Sequence, residues 1–495
     1  MKNLLTGAIA SLVLPALILS GCRSAEVSPS WREAWTPEAS DTTTPGEDPT
    51  WREISATEFP AGDLALADLA GMALDNNPAT RAAWHSARAA AAQVTATRGA
   101  WYPQLSVSGS GSYQKQEYSL KEAVVDPGSD AFLYGPAAEL SWLLLDLGGR
   151  SARIEQALQE LVAANFSFNQ AIQDLLLQLE TAYFDYVAAQ AGLEAAQADL
   201  SDAQASLDAA RDRVQAGLAS KLDELQAEAN YYDAQYSLKD AAGTLKSAAG
   251  ILAQVVGLNP TVDLKIAAPT AEPPTSFPVQ DVETMITAAI SERPDVSALR
   301  SRVLAAEASL DAADSDLWPT LGVTGQAQQN WYSYNSDPEL YDDVWGVSGF
   351  LTLSWDIFSG FSDLGVRDAA EADLAAARES LRQTELAAGT EVWNSYYDYE
   401  TAVDKLQAAR SYFSASQSSY ALALDSYQEG LQSLLDLLQA QSDLSAARSK
   451  LVASRRDVYV ALATLSHAAG RLGIESLQAL PSGGSDSEST QKKEN

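Results

Sequence analysis

Cysteine is almost absent: the 495-residue chain has one, Cys22. A single thiol excludes a disulfide framework and any cysteine-based metal site. Histidine is nearly as scarce. His85 and His467 stand in different segments, which points to packing or solvated roles rather than ligation. No Gly-Lys-Ser/Thr phosphate loop and no His-Glu-x-x-His occurs, so neither motif-borne chemistry has a carrier. The chain reads as a non-enzyme with no catalytic residues, metal or cofactor. Positive charge is short too, with Lys plus Arg 32 against Asp plus Glu 66 and a net charge of −34. Such a surface repels nucleic acid. Beyond residue 22 no run of 18 apolar residues exists, hence no helix to span a bilayer. If the chain crosses a membrane, it does so with strands.

What is present is a message written twice. Gly217, Ser220 and Asp223 recur as Gly430, Ser433 and Asp436, each 213 residues on. The same offset carries Leu140-Ser141-Trp142 onto Leu353-Ser354-Trp355, while Trp101-Tyr102-Pro103 answers Leu317-Trp318-Pro319 at 216. A repeat this long means two copies of one structural unit. The copies span residues 61–260 and 281–470, with a Pro-rich link at 261–280 and a Ser-rich, charged tail at 471–495.

Within each copy the hydrophobic period switches. After Pro103, Leu105, Val107, Gly109, Gly111 and Tyr113 alternate with serines; Ala138, Leu140 and Trp142 alternate with Glu139 and Ser141. Leu321, Val323 and Gly325, then Val347 to Ile357, do the same in the second copy. These are four strands of about ten residues, near 104–113, 137–146, 320–329 and 346–357, apolar on one face as in a membrane barrel. Tryptophans 101, 142, 318, 331, 345 and 355 lie in or beside them, as an aromatic girdle requires. A small soluble sheet with buried aromatics is the other reading of the strands alone. The stretches Gln114–Gly135 and Asn330–Trp345 read as exposed loops.

The remainder is helical. A helix over Leu64–Arg98, broken near Asn77-Pro78, is matched by one over Val282–Leu317, broken at Arg293-Pro294. From Leu193 a seam runs through Ala196, Leu200, Ala203, Leu207, Ala210 and Val214 with 3-4 spacing. Its echo, Leu406 to Tyr427, carries larger knobs. Sustained heptads imply supercoiling against a neighbouring helix. From Arg150 to Val214 such a helix is roughly 100 Å long at 1.5 Å per residue. It turns near 217–220 and runs back from Leu222; the second hairpin turns near 430–433. Four amphipathic strands cannot close a barrel alone, and an open edge in lipid is costly. Other copies of the chain must complete them, in a cyclic assembly.

At the N-terminus Met1-Lys2-Asn3, an apolar run from Leu4 to Leu19 and Leu19-Ser20-Gly21-Cys22 make a secretory signal over residues 1–21. Its end resembles a bacterial lipobox, in which Cys22 is acylated, palmitate included, and becomes the first mature residue. Residue 23 is Arg rather than the Asp that directs retention at the inner membrane, so outer-membrane attachment is expected. Residues 22–60, rich in Pro, Trp and Ser/Thr, read as an extended tether from that anchor.

Taken together, the duplicated strand-pair-plus-hairpin unit, the Trp-Tyr-Pro and Leu-Ser-Trp signals and the twin Gly-x-x-Ser-x-x-Asp turns resemble the TolC family of outer-membrane factors. The lipobox makes the chain similar to its lipoprotein branch. The resemblance covers about Leu64 to Gly470. It implies a mainly α chain with a β-barrel contribution: a homotrimer in which four strands per chain make a twelve-stranded barrel above an α-helical periplasmic tunnel. It further implies docking on a periplasmic adaptor (membrane fusion) protein and an RND or ABC inner-membrane pump, with export to the exterior. By position, Gly217, Ser220, Gly430 and Ser433 would meet the adaptor. Asp436 would form the constricting carboxylate ring, Asp223 the acidic position of the first turn, and Tyr427 a latch on the closed state. Gln439 stands where a second acidic residue can occur, so an inner second ring is in doubt. Two other readings share parts of this pattern: an exit duct for ABC-driven protein secretion, and a lipid-anchored coiled-coil stalk, against which the lipid-facing strands argue.

Overall fold

The computed structural model describes residues 28, 30–35, 63–116, 129–262, 264–267, 272–274, 281–334 and 341–473. The signal segment, Cys22, most of the expected tether, much of the Pro-rich link and residues 474–495 lie outside them.

Among the described residues twelve main elements follow one order twice: helix, helix, strand, strand, long helix, helix. The first copy holds α1 (Leu66–Asn76), α2 (Pro78–Arg98), β1 (Gln104–Gln116), β2 (Ser129–Leu145), α3 (Gly149–Gln215) and α4 (Lys221–Val256). The second holds α5 (Val282–Glu292), α6 (Pro294–Ser315), β3 (Thr320–Tyr334), β4 (Tyr341–Ser354), α7 (Ser362–Gln428) and α8 (Leu434–Ala468). Both long helices are 67 residues. The breaks at Asn77 and Arg293 have one cause. Each residue is extended before a proline, and its own N–H closes the preceding helix on Ala73 or Ala289 at 2.8 and 3.0 Å.

The chain divides into two compact units. Among the described residues the first takes 87–164 and 299–381 and contains the sheet. Strand order is β1-β2-β3-β4, antiparallel throughout, with β1 and β4 as edges. The register lines up the expected alternation across all four strands. One row reads Leu105, Leu140, Gly325, Gly349 and the next Val107, Ala138, Ala327, Val347; the opposite face carries Ser106, Glu139, Gln326 and Ser348. On the apolar face Leu105, Val107, Leu140, Val347, Leu351 and Leu353 are all exposed in the single chain.

The strands differ from expectation in extent. All four run beyond ten residues, and part of each stretch expected as loop is strand. β4 stops at Ser354 instead of residue 357, because Ser354 pairs with Thr320 and the next partner would be Pro319, which has no N–H to extend the ladder. Trp355 instead donates its indole N–H to the Leu317 carbonyl at 3.2 Å, as Trp142 does to Trp101 at 3.1 Å, 213 residues earlier.

The second unit takes residues 28–86, 165–298 and 382 onward. Its core has two centres. Leu207, Ala210 and Ala227 pack with Tyr420, Ala423, Tyr427, Leu437 and Leu444 near the hairpin turns. Val392, Tyr399 and Leu406 pack with Val458, Leu465 and the α5 residues Met285 and Ala289 at the other end. Arg456 reaches Asp185 at 2.7 Å, Arg448 binds Asp199 and Asp202, and Ser206 donates to Gln441 at 3.0 Å, so α3 and α8 are stitched along their length.

Candidate functional site at the paired hairpin turns

Both turns are built from the same local chemistry. In the first, Gly217 adopts φ 73°, a left-handed value open to glycine. Its N–H bonds the Val214 carbonyl at 3.0 Å and Leu218 N–H bonds Arg213 at 2.8 Å, which closes α3 with a 6→1 and 5→2 pair. In the second, Gly430 has φ 80°, and Gly430 and Leu431 repeat the bonds onto Tyr427 and Ser426 at 3.0 and 2.8 Å. The return helices then start alike. Ser220 and Asp223 exchange bonds of 3.3 and 3.1 Å, and Ser433 and Asp436 bonds of 3.3 and 3.2 Å. Two capping boxes result, and each Gly-x-x-Ser-x-x-Asp motif is a helix stop joined to a helix start.

Asp436 is exposed, and its carboxylate is engaged locally: the Ser433 hydroxyl donates to it at 2.7 Å. That bond and the Ser433 N–H hold its pKa below the ordinary carboxylate value. Its charge therefore persists in mildly acidic solution. Gln439 is exposed one turn on and bonds Asp443 at 3.2 Å.

The structure brings Tyr427 together with a residue to which the sequence reading assigned no role. Arg213 donates from Nη1 to the Tyr427 carbonyl at 2.6 Å and lies 5.0 Å from the Tyr427 ring centre. It also approaches the Gln428 and Leu218 carbonyls at 3.5 and 3.4 Å. One guanidinium thus gathers the carbonyl ends of both long helices, where the helix dipoles favour a cation. A Cβ on Gly430 would sit 3.0 Å from Arg213 Nη1, so besides the φ strain a larger residue there would press on the guanidinium. The Tyr427 ring is 2% exposed, and its hydroxyl has no partner among the described residues. Burial raises its pKa; Arg213 opposes that shift and the charge of Asp223 adds to it. The only sequence signal for Arg213 is a broken echo, since position 426 is Ser.

The turns also carry exposed leucines in pairs, Leu218 with Leu431 and Leu222 with Leu435, each pair 213 apart. Both turns thus show apolar side chains to solvent at matching positions.

A family model described as outer membrane efflux protein matches residues 69–258 and 285–471. The chain belongs to the outer membrane efflux protein family. The two matched stretches coincide with the two copies of the repeat. Protein CyaE of Bordetella pertussis is 29% identical over 340 residues, 69% of this chain and 70% of that one. Among solved structures, the outer-membrane channel OprN matches with a TM-score of 0.72 at 23% identity, covering 83% of this chain and 90% of its own. The CmeC outer membrane channel of Campylobacter jejuni matches with a TM-score of 0.71 at 18% identity, covering 89% and 94%. At such identities these likenesses speak for the fold. The mainly α architecture with a small antiparallel sheet is thus that of outer-membrane efflux channels.

Among the described residues no helix is long and apolar enough to cross a membrane. Among the described residues no group of three His, Cys, Asp or Glu is placed to hold a metal. His467, 8% exposed, spends Nε2 on Asp174 at 2.8 Å, a packing role at the end of α8. Cys22 lies outside the described residues.

Proposed function

We propose that the chain is one of three staves of a passive outer-membrane duct, which takes substrate from a periplasmic adaptor and an inner-membrane pump and releases it outside. The observation that carries this is the sheet: an apolar face in register across four strands, exposed, with both edges unpaired within the described chain. In lipid such edges must be paired, and cyclic copies joining β4 to β1 pair them.

The helices support the same assembly. Among the described residues α3 exposes no large apolar side chain and α8 exposes only Leu435. By contrast α4 exposes Leu222, Leu225, Tyr232, Tyr236 and Ile251, and α7 exposes Leu386, Trp393, Tyr397 and Leu422. The first pair is already covered within one chain. The second pair is what remains for neighbouring copies, α4 of one against α7 of the next.

In this reading Asp436 contributes a carboxylate from each copy to a constriction, with Asp223 on the first turn beside it, and Tyr427 is held in the closed state by Arg213. A ring of carboxylates in a narrow pore favours cations over anions. The turn residues Gly217, Ser220, Gly430 and Ser433, with the paired leucines, offer the adaptor its contact. The duct performs no chemistry and needs no cofactor, and a lipid on Cys22 holds it at the outer membrane. The family description speaks for efflux, the similarity to CyaE keeps an exit duct for ABC-driven protein secretion as the second reading, and the pump sets the substrate.

Purified protein tests this directly. The expected result is a heat-resistant oligomer in the outer-membrane fraction that conducts ions in planar bilayers. A monomer that fails to conduct would sink the channel reading.

A further inference from the structure

Residues 28 and 30–35, part of the segment expected as an extended tether, are seated on the helices. The Trp84 indole N–H donates to the Ser28 carbonyl at 3.0 Å, and the Ser28 hydroxyl lies 2.8 and 2.7 Å from the Ser30 and Glu33 carbonyls. Trp31 meets Trp84 edge-on at 5.4 Å, with the Arg81 guanidinium 5.1 Å from the Trp31 ring centre. Arg32 pairs with Asp75 of α1. Trp35 packs edge-on against Phe166 of α3 at 5.3 Å. The Asn169 side chain accepts from Trp35 N–H at 2.7 Å and donates to Trp35 O at 2.8 Å, the two bonds a neighbouring strand would make. Both indoles are buried, Trp31 at 9% and Trp35 at 7% exposure. A spacer has no reason to bury two tryptophans or to spend a side-chain amide on one backbone unit.

We propose that α2 and α3 form a seat for the chain's own N-terminal segment around Trp31 and Trp35, and that this seat sets how far the lipid on Cys22 can lie from the helical body. The second half of the proposal rests on reading Cys22 as lipidated. The physical consequence is a change of regime. A free linker from Cys22 to Leu64, roughly 42 residues, would have an r.m.s. span of about 35 Å and a far longer reach. With Ser28 fixed, the six residues back to Cys22 reach at most about 21 Å. The anchor becomes a short leash that holds an acylated, unassembled chain close to the leaflet its strands must enter.

Three full-length variants test this. Trp31→Ala/Trp35→Ala removes the seat, Asn169→Ala weakens it with little risk to the fold, and a twelve-residue Gly-Ser insertion between Val27 and Ser28 keeps the seat but lengthens the leash. The readouts are trypsin cleavage after Arg32, palmitate labelling and the yield of heat-resistant oligomer. The double variant should cleave at least tenfold faster, Asn169→Ala several-fold faster, and the insertion no faster than the parent. Oligomer yield should fall several-fold in the double and insertion variants alike, with labelling intact. Equal cleavage rates in parent and double variant would overturn the seat. A neutral insertion beside a defective double variant would overturn the leash. Absent palmitate labelling in the parent, with protection at Arg32 intact, would remove the lipid reading and the leash while leaving the seat established.

Discussion

At equivalent positions 180 and 393, the two long helices carry a buried glutamate and an exposed tryptophan. Glu180 is 5% exposed, amid buried Leu176, Leu179, Tyr183 and Phe184 of α3, while Trp393 on α7 is 47% exposed. That inversion is the reverse of what polarity dictates, and it shows how far the copies have diverged while keeping one backbone. Among the described residues α3 exposes no large apolar side chain, so its apolar surface is covered within the chain. α7 keeps exposed aromatics, which the proposed assembly would cover with a neighbouring copy. The turns show the same division on a smaller scale: identical stops and caps, yet the first supplies the cation Arg213 and the second the carbonyls and ring it holds.

The largest effect expected from breaking this contrast lies at Glu180. Burial pushes its carboxyl to about 7 from an ordinary 4.5, and no cation pairs with it among the described residues. Below about 4.5 both folded and unfolded forms are protonated. As pH rises from there to about 7 the folded state keeps the proton that the unfolded state loses, so stability falls, and above about 7 the whole penalty is present. The span corresponds to about 3 kcal/mol. Glu180→Gln cannot ionise, so its urea midpoint should be flat between pH 5 and pH 8 in this respect and exceed the parent's at pH 8. An unchanged pH dependence would show that Glu180 is not the titrating group. The equivalent Trp393→Gln should change oligomer yield instead.

Next comes the asymmetric tie. Arg213→Ala removes charge-assisted bonds to two helix ends and should cost about 2 kcal/mol, by the usual worth of hydrogen bonds to charged groups. Ser426→Ala at the matching position should leave the unfolding midpoint near the parent's. Arg213→Lys keeps the charge but not the planar fork, and should recover only part of the loss. If single-channel conductance rises in Arg213→Ala as well, the tie holds the second turn in place. Equal midpoints for the Arg213 and Ser426 variants would erase the contrast.

Glycine substitution separates backbone from contact. Gly217→Ala meets nothing within 4 Å and should cost about 1 kcal/mol for its left-handed conformation alone. Gly430→Ala bears the same strain and must also displace the Arg213 guanidinium, so it should cost about 1 kcal/mol more. The order should reverse nowhere between pH 5 and pH 8; equal losses would mean that Arg213 yields freely.

How much of this was legible in advance follows from range. Chemistry within six residues repeats with the motif, so the breaks at Asn77 and Arg293 and both turns could be read from the chain. The sheet could be read where one face is apolar across all four strands, because alternation there is unbroken. It was understated at the outer strand ends, where Gln114, Lys115 and Asn330 no longer alternate with apolar residues. Arg213 reaches a partner 214 positions away whose copy has no such reach, and no local pattern encodes that. The seated tryptophans stood among prolines and serines and so read as a spacer. Their spacing of four residues says nothing of the α2 and α3 surfaces that receive them.

The smallest and most specific contrast is between the two capping carboxylates. Asp223 and Asp436 fill the same cap position, but the second is exposed and its carboxylate also takes the Ser433 hydroxyl. Asp436→Ala removes cap and charge together and should raise conductance while weakening block by multivalent cations. Asp436→Asn retains an acceptor for the Ser433 N–H and removes only the charge, so it should weaken block as much with a smaller change in unfolding midpoint. Asp223→Asn should affect block less, since Asp223 is partly covered. Single-channel recording with a trivalent cation decides it. If Asp436→Asn blocks like the parent and only Asp436→Ala differs, the residue serves the helix start alone. If Asp223→Asn weakens block equally, the two turns share the constriction and the contrast between the two carboxylates disappears.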